Sequence, residues 1–299
     1  MAQEQVAQRE KHRRTRHRAW LRVLLIGLLL YVVGIVALIL TGNPNLFPTI
    51  VMVGNFLVPV AFVAFFYERR ELSQLSMPTT TLAFLYGGLL GVLAASILEP
   101  LLIRSRGLGA AFLVGLIEEF VKILGVLVIA RRRRHSSEMD GLILGAAAGM
   151  GFAALESIGY AFTAFLSSQG SLSATVGVTL LRGVLSPVGH GVWTAILTSV
   201  LFRESGPKHF RINLKVIGAY LLVVVLHGLW DALPGVITAL LGPGLDVFIG
   251  QTVIGGIGLF ILWRRWREAR RLQDAENTVD RANAAEGIEP IAGAGQEVL

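Results

Sequence analysis

The sequence predicts an all-α protein, a polytopic integral membrane helix bundle with about eight transmembrane helices. Three observations predict it. The 299 residues are 54% hydrophobic and only 16% charged, where a typical soluble domain carries about 25% charged residues. Mean hydropathy is +0.64, which is more apolar surface than a soluble chain of this length has interior to bury. The apolar residues also gather in runs near the ~20 residues that carry a helix across ~30 Å of hydrocarbon. None of the runs alternates as a lipid-facing strand does.

Taken in order, residues 1–20 form a basic arm. The apolar runs are 21–41, 48–67, 80–98, 108–130, 141–167, 172–202, 214–236 and 245–263. The first is expected to be a permanent anchor rather than a removable signal, because no small-x-small site follows it before Asn43–Pro44. Apart from Arg22 at the edge of the first, the runs within 21–98 carry no charge and are expected to be scaffold, whereas 99–263 is expected to hold the catalytic core together with a last scaffold helix. The 172–202 run is long for one span and is expected to tilt or break near Pro187, which has no N–H to give. Residues 264–299 form a tail, basic at first. From Gln273 it is rich in Ala, Glu, Asp and Gly without periodicity and is expected to be disordered.

The chain has no cysteine, which excludes disulfides, thiolate metal sites and cysteine nucleophiles. Its net charge of +7 is distributed by topology. If the N-terminus is cytoplasmic, 23 of the 27 Lys and Arg lie on the cytoplasmic side, Arg104 and Arg106 lie outside, and Lys122 and Arg182 fall within spans. That bias places both termini in the cytoplasm of a multi-pass cell-membrane protein. Basic groups scattered over every cytoplasmic loop suit anionic lipid rather than nucleic acid, which needs a folded surface to present them.

Ionisable residues inside spans are costly and ask for a reason. Run 108–130 holds Glu118, Glu119 and Lys122, run 141–167 holds Glu156, run 172–202 holds Arg182 and His190, and run 214–236 holds His227 and Asp231. Counted from the cytoplasmic ends, Glu118, Glu119, Glu156, His190, His227 and Asp231 all fall between about 17 and 25 Å deep. Lys122 falls lower, at about 12 Å, and Arg182 at about 30 Å, where snorkelling to the outer interface is expected.

Spacing refines the set. Glu118 and Lys122 are i,i+4 and Glu119 and Lys122 are i,i+3, so one ammonium serves two carboxylates that cannot both ionise cheaply in low dielectric. Lys122 then acts as counter-ion and tether or takes part directly. His227 and Asp231 share a face at i,i+4, where the carboxylate can orient the imidazole. Trp193 and Trp230 are expected to be packing residues, and Gly141, Gly145 and Gly149 a helix-packing face.

The sequence has no His-Glu-x-x-His zinc helix, Walker loop or nucleophile elbow. Asp231 is the only mid-span aspartate, so an aspartate pair is absent too. Carboxylates and histidines leave three chemistries open: activating water, binding a metal, or relaying protons in a transporter.

Glu118-Glu119-x-x-Lys122, Phe152-x-x-x-Glu156, His190 and His227-x-x-x-Asp231, in that order on four successive apolar helices, resemble the PrsW intramembrane proteases. That family is similar to the CAAX-endopeptidase and bacteriocin-processing group, with motifs Glu-Glu-x-x-x-Arg, Phe-x-x-x-His and His-x-x-x-Asn. The resemblance covers about residues 80–263. It implies a peptidase in which Glu118 activates water with help from His190, Glu119 orients or shares the proton, and His227 faces the oxyanion. Asp231 stands where the other group has asparagine, Lys122 where it has arginine, and Glu156 is the PrsW-type residue. The implied partner is a membrane-anchored protein substrate such as an anti-sigma factor, cut on its extracytoplasmic side.

The family is often labelled a metalloprotease. Zinc would take Glu118, His190 and His227, but adjacent carboxylates beside a lysine suit a metal-free, glutamate-activated water better than a zinc shell. A proton-coupled transporter using the same groups is the alternative function, against which the absence of inverted repeats counts.

Topology is directly testable. Reporter fusions after Arg134 and Lys208 are expected to read cytoplasmic and a fusion near Arg106 external; the reverse pattern would remove the case for an outer cut.

Overall fold

The computed structural model of the chain describes residues 18–69, 73, 75–104, 107–131, 137–205, 209–242 and 246–285. Regular structure among them is all helix. The helices are α1 (Ala19–Thr41), α2 (Leu46–Glu68), α3 (Met77–Leu102), α4 (Leu108–Ala130) and α5 (Glu138–Ser167). They continue as α6 (Leu172–Leu185), a 3₁₀ turn (Ser186–Val188), α7 (His190–Glu204), α8 (Leu214–Leu241) and α9 (Asp246–Ala285). Side chains of Ser76, Ser137, Ser171 and Asn213 cap α3, α5, α6 and α8 by accepting from backbone N–H groups two or three residues on. Those are donors that a helix start leaves free.

Among the described residues, six segments are long and apolar enough to cross a membrane with no more than two charges: α1, α2, α3, α5, α6 with α7, and α8. The chain is a polytopic helical membrane protein. Helix α4 has the bounds expected of it but exceeds that charge allowance through Glu118, Glu119 and Lys122. The break expected near Pro187 is present as the 3₁₀ turn.

Helix α9 corrects the expectation for the tail. It runs on from the apolar segment through the basic one to Ala285, so residues 273–285 are helical rather than disordered. The physical reason lies in the composition: Arg, Ala, Leu, Gln and Glu are good helix formers, and no Gly or Pro interrupts the chain between Gly258 and Gly287. Arg265 fastens this helix to the bundle, 2.7 Å from Glu138 of α5 and donating to Ser199 Oγ of α7 at 3.1 Å. The expectations for residues 1–17, Arg106, Arg134, Lys208 and 286–299 lie outside the described residues.

Helix α5 forms the centre. Every residue from Glu138 to Ala154 is buried, as a helix apolar on all sides must be. Small residues let its neighbours approach backbone to backbone. A Cβ on Gly88 of α3 would lie 2.6 Å from the Gly151 carbonyl oxygen of α5. On the opposite side Gly141, Gly145 and Gly149 abut Thr198, Thr194 and the His190 carbonyl of α7. This face therefore sets how closely α7, and with it His190, stands to α5. Helix α1, with Tyr31 its only buried residue, lies at the lipid-facing edge.

Gly149→Val is accordingly expected to cost about 1–3 kcal/mol by overpacking, read as a lower thermal midpoint in detergent. Gly159→Ala, on the same helix but with open space around it, should change stability by less than ~1 kcal/mol. Equal effects at the two positions would contradict the packing account.

Candidate active site

Four helices deliver the polar groups to one place. Helix α4 contributes the adjacent Glu118 and Glu119, with Lys122 one turn further on. Helix α5 brings Glu156 beyond the glycine face, and α8 brings His227 and Asp231. The 3₁₀ turn restarts the chain so that His190 is the first residue of α7. Gly191 and Gly228, each next to a histidine, admit Met150 and Phe112 to distances that a Cβ would forbid.

Lys122 stands at the middle with no exposure. Its Nζ donates to Glu119 Oε1 at 2.8 Å and to Glu118 Oε2 at 3.0 Å, and lies 2.7 Å from His190 Nδ1. The Phe152 ring covers it, with the centroid 4.1 Å from Nζ. Depth counting placed Lys122 below the catalytic layer; its long side chain spans the difference.

The network assigns the histidine tautomers. An ammonium has only hydrogens to offer, so His190 Nδ1 accepts and the ring proton sits on Nε2, 3.1 Å from Glu156 Oε2. His227 is the opposite case. Its Nδ1 lies 3.0 Å from Glu119 Oε1, an acceptor already held by Lys122, so Nδ1 carries a proton. Its Nε2 lies 3.6 Å from Glu118 Oε2 and 3.6 Å from Asp231 Oδ2. Thr194 donates to Glu119 Oε2 at 3.2 Å. Glu119 is thus fully engaged and buried, while Glu118 borders a cavity.

That cavity has a volume of about 620 Å³. Val92 and Glu99 of α3, Glu118, Glu156, Arg182, His190, His227 and Asp231 are part of its wall. Its lining comes from the ends of α3, α4, α5 and α8 remote from the basic loops.

Two expectations change here. Arg182 does not snorkel away: it donates from Nη2 to Glu156 Oε2 at 2.6 Å and from Nε to Ser157 Oγ at 2.9 Å, and it lies over the Tyr160 ring. A carboxylate one helix away is a better partner than the interface. Nor does Asp231 orient His227 through a hydrogen bond, since 3.6 Å is too long; Glu119 does so from α4. Trp193 packs as expected, fully buried with its ring 4.7 Å from that of His227. Glu99, one residue beyond the 80–98 apolar run, also lines the cavity.

One donor atom from each of Glu118, His190 and His227 lies within 4.8 Å of the other two, the density a metal site requires. The surroundings do not fit a divalent cation. Both nitrogens of His190 are engaged, by Lys122 and by Glu156, and the same ammonium holds Glu118 Oε2. A metal bound there would displace Lys122 or face its charge.

The two carboxylates and the lysine can be tested as a unit. Lys122→Met leaves buried anions unpaired and is expected to cost about 3–5 kcal/mol in stability, measured by thermal unfolding. Adding Glu119→Gln, which removes one of those charges, should recover part of the loss; a further additive loss would contradict the assignment.

Comparison with known proteins places this arrangement. Residues 76–263 match the model of the PrsW family intramembrane metalloproteases. The chain is 27% identical over 179 residues to Protease PrsW of Halalkalibacterium halodurans, a match covering 58% of this chain and 78% of that one. It is 30% identical over 159 residues to Protease PrsW of Clostridioides difficile, covering 50% of this chain and 63% of that one. No solved structure matches it. The matched region takes in more than half of the chain and contains every residue of the site, and the chain belongs to the PrsW family of intramembrane proteases.

Proposed function

We propose that the chain cuts a membrane-anchored protein by adding a water activated by Glu118 to a peptide bond. The observation that carries this reading is the closeness, at the cavity wall, of Glu118 Oε2 and His227 Nε2, 3.6 Å apart; in the neutral ring Nε2 is an acceptor. Two acceptors side by side hold a water by both of its hydrogens and turn its oxygen lone pairs toward a bound carbonyl. Glu118 takes one proton as the water oxygen bonds to the carbonyl carbon. It returns that proton to the nitrogen as the C–N bond breaks. The developing oxyanion meets the Arg182 guanidinium, which lines the same cavity.

The other groups hold this arrangement. Glu119 fixes the His227 ring, Lys122 balances the carboxylates and fixes the His190 tautomer, and Glu156 ties His190 to Arg182. Asp231 faces His227 Nε2, where it favours any proton arriving there. This changes two of the roles the resemblance implied: His227 handles the water, and His190 is held between Lys122 and Glu156. The reading extends to a multi-pass protein of the cell membrane with both termini cytoplasmic. The cavity then lies toward the outer face, and the bilayer presents a single-span substrate such as an anti-sigma factor.

The test is cleavage of single-span peptides by the purified chain in liposomes. Glu118→Gln, which keeps the shape, is expected to lower kcat by about 10²–10⁴-fold while the thermal midpoint holds. Wild-type activity should persist after exhaustive chelation. Purified protein with stoichiometric zinc, inactivated by a chelator and restored by zinc, would overturn the glutamate mechanism and leave the peptidase intact. Absence of cleavage across the panel would count against the substrate class.

A further inference from the structure

Helix α9, expected to be scaffold, sends a polar group into the cavity that the chemistry above does not use. Gln251 shares a stripe with Gly255 and Gly258, at i+4 and i+7. The stripe faces inward, because a Cβ on Gly255 would meet Val188 and Trp230, and one on Gly258 would meet Val192 and Trp193. Gln251 lines the same cavity as Glu118 and His227. Its Oε1 is buried and has no hydrogen-bond donor among the described residues. A buried acceptor left without a donor costs about 1–3 kcal/mol, and leucine would fill that face without the cost. A carboxamide kept there points to a ligand that brings the donor.

The occupant follows from the membrane. A spanning helix shields each carbonyl with its own hydrogen bonds, so a segment to be cut must first unwind. Each peptide N–H and C=O released in a poorly hydrated cavity then needs a partner. A primary amide offers one acceptor and two donors in the plane a peptide group uses. We propose that Gln251 binds the backbone of the unwound substrate segment, accepting a peptide N–H on Oε1, and thereby fixes which substrate residue lies over Glu118. The proposal takes its occupant from the protease reading above. It makes Gln251 a substrate-positioning residue that reads main chain rather than side chains.

The natural absence of cysteine allows a clean test. Gln251→Cys, combined with Glu118→Gln so that nothing is cut, carries the sole thiol. The full chain is reconstituted in liposomes with synthetic Leu/Ala single-span peptides. Each peptide has one Gly-Pro step within the span and one cysteine moved along it. Oxidation should cross-link only at the few positions beside the Gly-Pro step, and not to an unbroken span. Cross-links spread evenly along the span, or none at all, would overturn the proposal.

A second measurement uses a peptide that wild type cleaves. Gln251→Leu should raise KM about tenfold, the effect of losing one hydrogen bond, with a smaller fall in kcat. N-methylation of one substrate peptide nitrogen should cost the wild type a similar factor and cost Gln251→Leu nothing further. Equal penalties in both proteins would overturn the proposal. Localised cross-links without any cleavage by wild type would instead count against the protease reading and leave the binding site standing.

Discussion

The Lys122 ammonium lies wholly inside the bundle, within 3.0 Å of acceptors from Glu118, Glu119 and His190. Each of these groups alone would be prohibitively expensive in a medium that cannot solvate it. Together they are tolerable, but only while α4 and α7 keep their relative position to within a hydrogen-bond length. That constraint explains features far from the charges. The glycine face of α5 exists so that α7 can stand against it, and Gly149 abuts the His190 carbonyl. The 3₁₀ turn at Ser186–Val188 shifts the chain so that a new helix begins on the histidine.

The same constraint divides the labour between chemically similar groups. Glu119 has both oxygens committed, to Lys122 and His227 on one side and to Thr194 on the other. Glu118 shares the ammonium yet borders the cavity, so it alone of the pair faces that space. The two histidines differ likewise. His190 is pinned at both nitrogens, whereas His227 is pinned at Nδ1 and has its nearest carboxylate oxygens 3.6 Å from Nε2. The distinction also bears on the metal: a divalent cation competes for acceptors that an ammonium already holds.

Much of this was legible in the sequence because charge inside a span is expensive and therefore rare. Glu118, Glu119, Glu156, His190, His227 and Asp231 were found by that rule, and α4 was delimited correctly by its apolar ends. Side-chain reach was not legible. Counting along helix axes left Arg182 too far from Glu156, whereas a guanidinium closes that gap to 2.6 Å. Glu99 was lost to a boundary drawn one residue early. Gln251 was missed because an uncharged amide inside a span raises no alarm, although its orphaned oxygen does so once the cavity is seen. The helical continuation of α9 was hidden because charged, aperiodic sequence suggests disorder even when each residue is a good helix former.

The central claim, that a buried ammonium orders this site, is tested most directly by the histidine tautomers in the membrane-reconstituted protein. Nitrogen-15 NMR of ring-labelled histidine, assigned with His190→Asn and His227→Asn, distinguishes a protonated from an unprotonated ring nitrogen. The account predicts opposite tautomers in one site, with the proton on Nε2 in His190 and on Nδ1 in His227. A proton on His190 Nδ1 would mean that Lys122 does not donate there, and the account would be contradicted.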